Sequence, residues 1–215
     1  MIEPNLSLTN WNRSWSELSG TTPHPSIYKQ LIDRYSEPHR SYHTLQHLAE
    51  CLEHLSSVRS LCHNSAEVEI ALWFHDVVYD SHQHDNEALS ARWAVQIAQG
   101  LGLSTEVCER LRSLILATQH DTIPQTPDAK ILVDIDLAIL GASETRFDLY
   151  EKQVRQEYHW VPEDQFCKAR RQILERFLAR PFIYSTTYFQ ERLEQQARSN
   201  LLRSISSATV RLPEL

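Results

Sequence analysis

Three stretches of this 215-residue chain carry side chains able to hold a metal ion or move a proton. In Ile70–Tyr79, His75 and Asp76 are adjacent inside an almost continuously apolar run. Such a run reads as buried, and an ionised carboxylate there costs several kcal/mol unless a cation or strong donors meet it. An internal Arg or Lys would meet that cost. So would a metal, because imidazole and carboxylate both bind divalent first-row ions. A second apolar segment, Ile131–Gly141, embeds Asp134 and Asp136. A third, from His43 to about Val58, spaces His43 and His47 as on one helical face, beside a stripe of Leu48, Cys51, Leu52 and Leu55. Apart from Lys130 at one border, basic residues are missing from these segments. The spacing therefore favours a metal site over a set of ion pairs.

The elements that must position these residues read as helices. Trp11 and Trp15 share a helical face, and Pro23 and Pro25 precede a short helix from Ser26 to Tyr35. Asn64 or Ser65 caps a helix expected to run to about Tyr79, with His75 and Asp76 in its last turns. A polar connection leads to a helix from about Glu87 to Gln99, stopped by Gly100 and Gly102. Ser104 starts another that ends near Thr118, leaving His120 and Asp121 at its exit and a loop over 122–128. Periodicity does not separate strand from helix over 131–141, but the surroundings favour helix. Ser143 caps the next, Pro162 opens another that Pro181 ends, and a last helix spans about Thr187 to Ser204. The expectation is one all-α domain over 1–215, its site core at about 40–141 and helices over 143–206 packed on it.

Bulk properties exclude several classes. Four glycines argue against a turn-rich β-sandwich or a Gly-rich phosphate loop. A net charge of −7 gives no general reason to expect nucleic-acid binding. Cys51, Cys62, Cys108 and Cys167 lack zinc-ribbon spacing and read as reduced, packed thiols. The start, Met1–Leu6, lacks the pattern of a signal peptide, and no apolar run approaches a membrane span. A cytoplasmic protein without membrane contact is expected; the oligomeric state is not legible.

The order His47, His75-Asp76 and a late Asp in Asp-Ile-Asp-Leu resembles the HD superfamily of metal-dependent phosphohydrolases. Tyr42-His-Thr-Leu-Gln-His47 is similar to the Tyr-His-Asn-x-x-His element of cyclic-nucleotide phosphodiesterases, a branch of that superfamily. The resemblance to one HD subfamily of metal-dependent phosphohydrolases extends over almost the whole chain. It takes in Trp-Phe-His-Asp-Val-Val-Tyr-Asp, Asp-Asn-Glu-Ala-Leu-Ser-Ala, Asp-Ile-Asp-Leu-Ala-Ile-Leu-Gly, Arg155–Tyr158 and Ala-Arg-Ser-Asn-Leu. It implies a bundle of eight to ten helices with the metal site in its core. It makes His47, His75 and Asp76 ligands, and His43 the general acid, with Asp76 also orienting the attacking water.

Asp136-Leu-Ala resembles the phosphodiesterase Asp-Leu-Ser, which favours Asp136 as the last ligand. Asp134, about 200° away on a helix, is the alternative, or an acceptor for a ligand histidine. His120 stands where some HD proteins place extra histidines, but the doubled His is Gln119-His120 here. It is either a phosphate donor or second-metal ligand, or a helix-end residue favoured by the dipole. Asn86 and Glu87 either reach the pocket or simply start a helix, and Arg40 either binds phosphate or is solvated. His82, His84 and His159 read as surface residues.

The implied reaction is hydrolysis of a small phosphorylated molecule, with a nucleotide the expected class, by in-line attack of a water. It needs one divalent ion (Mn, Ni, Zn, Co, Mg or Fe), with room for a second. The alternatives are a di-iron HD-type oxygenase and a catalytically silent nucleotide-binding protein.

Overall fold

The computed structural model describes residues 4–211, and the signal-peptide expectation at Met1–Glu3 lies outside the described residues. Helices form every regular element among them, with no strand. They run α1 (Leu8–Ser19), α2 (Pro25–Tyr35), α3 (Leu45–Val58), α4 (Ser65–Phe74), α5 (Asn86–Gly100), α6 (Thr105–Leu116), α7 (Pro127–Asp136), α8 (Glu144–Glu157), α9 (Glu163–Leu178) and α10 (Thr187–Arg211). Contacts divide the chain into two compact units, Met1–Asp136 and Leu137–Leu215. The division falls inside the apolar segment 131–141.

The first unit is arranged around α4. Its residues Val68 and Ile70 through Phe74 are all buried, and α1, α3, α5, α6 and α7 pack on it. That is why the stretch is apolar on every side. Its two buried acids are paired from outside: Glu67 with Arg110, and Glu69 with Arg13 and Arg59. Trp11 and Trp15 of α1 pack edge-on with each other, and Trp11 with Trp73, at centroid distances of 5.6 and 5.4 Å. Asn64 is the N-cap of α4, but its side chain makes no cap bond. The Asp128 carboxylate of α7 instead accepts from the His63 and Asn64 amides at 2.7 and 2.9 Å.

Local signals account for several helix ends. Ser7, Thr44 and Ser104 accept an amide bond at the starts of α1, α3 and α6. Gly20 takes a left-handed conformation after α1, and Gly102 does so beyond α5. The expected helix over 131–141 is α7 plus a 3-10 turn, Leu137–Gly141, and α7 begins at Pro127, inside the expected loop.

In the second unit, α10 packs against this 3-10 turn and against α9. Ser143 caps α8 as expected. Asn200, fully buried, donates to the Leu140 and Ala142 carbonyls, both at 2.9 Å.

Candidate metal centre

Four segments of the first unit supply the site. α3 presents His47 from its first turn, and the exit of α4 presents His75 and Asp76. The exit of α6 presents His120, and the last residue of α7 is Asp136. Two expectations are corrected here. His43 is not on the α3 face; it lies in the turn before Thr44, which caps the helix. His75 and Asp76 are not in the last turns of a helix reaching Tyr79, because α4 stops at Phe74 and the chain turns.

The donor atoms converge. His47 Nε2 lies 3.1 Å from His75 Nε2, 3.4 Å from Asp76 Oδ2 and 3.2 Å from Asp136 Oδ1. His75 Nε2 lies 2.9 Å from Asp76 Oδ2 and 3.6 Å from Asp136 Oδ1. Ligands held at ~2.1 Å from one ion stand ~3.0 Å apart in octahedral and ~3.4 Å apart in tetrahedral geometry. The observed separations span those values. Both imidazoles are buried. His75 Nδ1 is 2.7 Å from the Leu72 carbonyl, which can only accept, so Nδ1 is protonated there and Nε2 is the atom left to face the cluster, where an ion would take the place of a proton. The residues fit a divalent cation.

Cys51, read from sequence as a packed thiol, belongs to the same cluster. His47, Cys51, His75 and Asp136 each offer a ligand atom within 4.8 Å of the others, so this buried group could hold a metal ion. The signal for Cys51 was present in its spacing of four from His47. Its Sγ is 3.8 Å from both ring nitrogens of His47. An atom equidistant from both sits beside the ring, off the line along which Nε2 binds, and too far for a ~2.3 Å metal–thiolate bond. Asp76 Oδ2 is the better-placed fourth donor.

The charges agree with this packing. Burial opposes ionisation of Asp76, but the His75 and His43 charges and hydrogen bonds from His47 and His75 hold it well below the usual carboxylate range. Burial likewise opposes Asp136, and hydrogen bonds from His120, His47 and His75 hold it well below. Burial pushes both His47 and His75 down, yet each stands well above the ordinary imidazole value. For His47 the neighbouring Cys51 and Tyr42 and bonds to Asp136 and Asp76 prevail; for His75 it is chiefly the Asp76 charge.

Around these donors, His120 Nε2 is 3.0 Å from the other oxygen of Asp136. Its backbone is the one positive-φ non-glycine position among the described residues, at φ 58°. A non-glycine held there costs of order 1 kcal/mol or more, a strain that clusters at functional sites. His43 stacks on Tyr79 at a centroid distance of 4.1 Å and lies 6.0 Å, ring to ring, from His47. Asp134 is fully buried, and the separations from the two imidazoles given above are those of Asp136.

The remaining candidates are placed otherwise. Arg40 neither reaches for phosphate nor is solvated: its side chain is 0% exposed. Its five N–H groups are all spent, on Glu37 and on the carbonyls of His43, Asp76 and Val77. Asn86 closes the loop 80–86 by exchanging hydrogen bonds with the Asp80 backbone, at 3.1 and 3.0 Å. Glu87 stands in the first turn of α5, where its charge complements the helix dipole. His82, His84 and His159 are exposed.

Comparison with protein-family models, with curated proteins and with solved structures finds no match to this chain. Among the described residues no helix is long and apolar enough to cross a membrane.

Proposed function

We propose that this chain is a metal-dependent phosphohydrolase of the HD type, acting on a small phosphorylated molecule, most simply a nucleotide. The observation that carries the reading is the convergence of His47 Nε2 and His75 Nε2, 3.1 Å apart, with Asp76 Oδ2 and Asp136 Oδ1, each 2.9 to 3.6 Å from both nitrogens. A divalent ion there would lower the pKa of a water and neutralise charge at a phosphoryl centre. His47 and His75 would hold it through Nε2, and Asp76 and Asp136 through one oxygen each. The second oxygen of Asp76 is then available to orient the attacking water. His43, half-buried beside the cluster and stacked on Tyr79, would give its proton to the leaving oxygen, a contribution of about 10²–10⁴ in rate.

One observation favours a second reading. The contact of His120 with Asp136 gives that carboxylate a partner on each oxygen, so His120 and the second oxygen of Asp136 would be donors for a second ion. A di-iron oxygenase would use it. Elemental analysis of gently purified protein, with a metal-supplemented screen of nucleotides and phosphate esters, separates the two. About one Mn, Ni, Zn or Co per chain with phosphate release is the expected result. Two irons per chain and no phosphate release would replace the hydrolase with the oxygenase.

A further inference from the structure

Residues 75–79 carry two of the proposed ligands, yet neither helix nor sheet holds them. The Val77 amide turns back to the Phe74 carbonyl at 3.0 Å, and other backbone groups are met from the side. The Asp76 amide donates to the Tyr35 hydroxyl at 3.3 Å, and the Val78 amide to Ser90 Oγ at 3.0 Å. Arg40 takes the carbonyls: it donates to Asp76 O at 2.6 Å and to Val77 O at 3.0 Å. The same guanidinium donates to His43 O at 3.2 Å, in the turn that leads into α3 and His47. One planar group therefore ties together the two chain segments that bring His47 and His75-Asp76 to the cluster.

Its two remaining N–H groups go to Glu37 Oε2, at 3.2 and 3.1 Å. The rings of Tyr35 and Tyr79 flank it, with centroids at 5.3 and 5.5 Å. A buried cation persists only when it is paired and its protons are all used. A cation kept merely for pairing with Glu37 would need no carbonyl from either segment. Here three of its five bonds go to those two segments. Lysine does not reproduce this, because its three donors radiate from one point and cannot span three carbonyls and a carboxylate.

We propose that Arg40, neutralised by Glu37, is the positioning residue of the metal centre. It sets the separation between the turn bearing His75 and Asp76 and the turn before His47, and with it the affinity for the ion. The inference rests on the metal reading of the cluster.

Zn²⁺ affinity, measured on the full chain by competition with a chromophoric chelator, tests it in the parent, Arg40→Lys, Glu37→Gln and Leu174→Ala. Leu174 is buried in the second unit, so its variant controls for general destabilisation. Arg40→Lys is expected to lose about ten- to a hundredfold in affinity, the usual cost of removing support behind a ligand. Glu37→Gln should move the same way, and it carries the test if Arg40→Lys does not fold. Leu174→Ala should melt earlier yet bind as the parent does. Amide exchange at Asp76 and Val77 should rise in Arg40→Lys while α4 stays protected. A folded Arg40→Lys with parental Zn²⁺ affinity overturns the inference. A parent that takes up no Zn²⁺ overturns the metal reading itself; exchange then judges Arg40 alone, and no change at Asp76 and Val77 overturns its role as well.

Discussion

At the cluster, each side chain has its own consequence when removed. His75→Ala or Asp76→Ala should abolish metal uptake, read by elemental analysis after gel filtration. His43→Ala should retain metal and slow turnover by about 10²–10⁴; loss of metal instead would exchange the roles of acid and ligand. Asp136→Asn should lose the ion and Asp134→Asn keep it, since Asp136 Oδ1 lies 3.2 and 3.6 Å from the Nε2 atoms of His47 and His75. Cys51→Ser should leave metal content unchanged. Substitution with Co²⁺ checks this, because a thiolate–cobalt charge-transfer band in the parent would make Cys51 a ligand. Protons compete for the same atoms. In the metal-free protein His47 and His75 are raised and Asp76 and Asp136 lowered. The histidine contribution to stability is complete below the unfolded imidazole value of about 6.5 and is lost as pH rises through the folded values. The carboxylate contribution is complete above about 3.9 and is lost as pH falls through the folded values. Melting of chelator-treated protein should therefore be highest between these limits, and added metal should move the maximum to higher pH.

The helices make different demands. Asp128 reaches from α7 to the amides ahead of α4, tying the start of the central helix to the helix that ends in Asp136. Asp128→Ala should cost about 2 kcal/mol in urea unfolding, since it strips a charged acceptor from two amides. In the second unit, a Cβ on Gly141 would stand 2.6 Å from Leu193 Cβ, 2.8 Å from Leu193 O and 2.9 Å from the Tyr184 hydroxyl. Gly141→Ala should destabilise by about 1–3 kcal/mol through overpacking, seen as a lower denaturation midpoint without a change in metal affinity. Equal loss of metal in Gly141→Ala would mean that the cluster depends on this packing as well.

Across the whole molecule, every proposed ligand belongs to the unit Met1–Asp136. Zn²⁺ at a hundredfold excess over its Kd should add about 2.7 kcal/mol to that unit's unfolding free energy. In hydrogen exchange the added protection should fall on the turns before α3 and after α4 and on the end of α7. The chain's net charge of −7 gives no general electrostatic reason to expect a long polyanion as partner.

The helical class was legible because Leu, Ala, Glu, Gln and Arg dominate long segments and capping residues such as Ser104 and Ser143 act within three residues of their own position. The cluster was legible because carboxylates in apolar runs demand a partner wherever the chain goes. The end of α4 was not, since nothing local stops a helix at Phe74. Tyr35, Arg40 and Ser90, distant in sequence, meet the backbone of the turn that follows. The same distance hid Arg40: an arginine's type says only that it is charged, and burial decided that its protons go to carbonyls. Spacing could narrow the last ligand to Asp134 or Asp136, because residues two apart point to opposite sides of a helix. Which side faced His47 and His75 was settled only when α7 packed against α3 and α4.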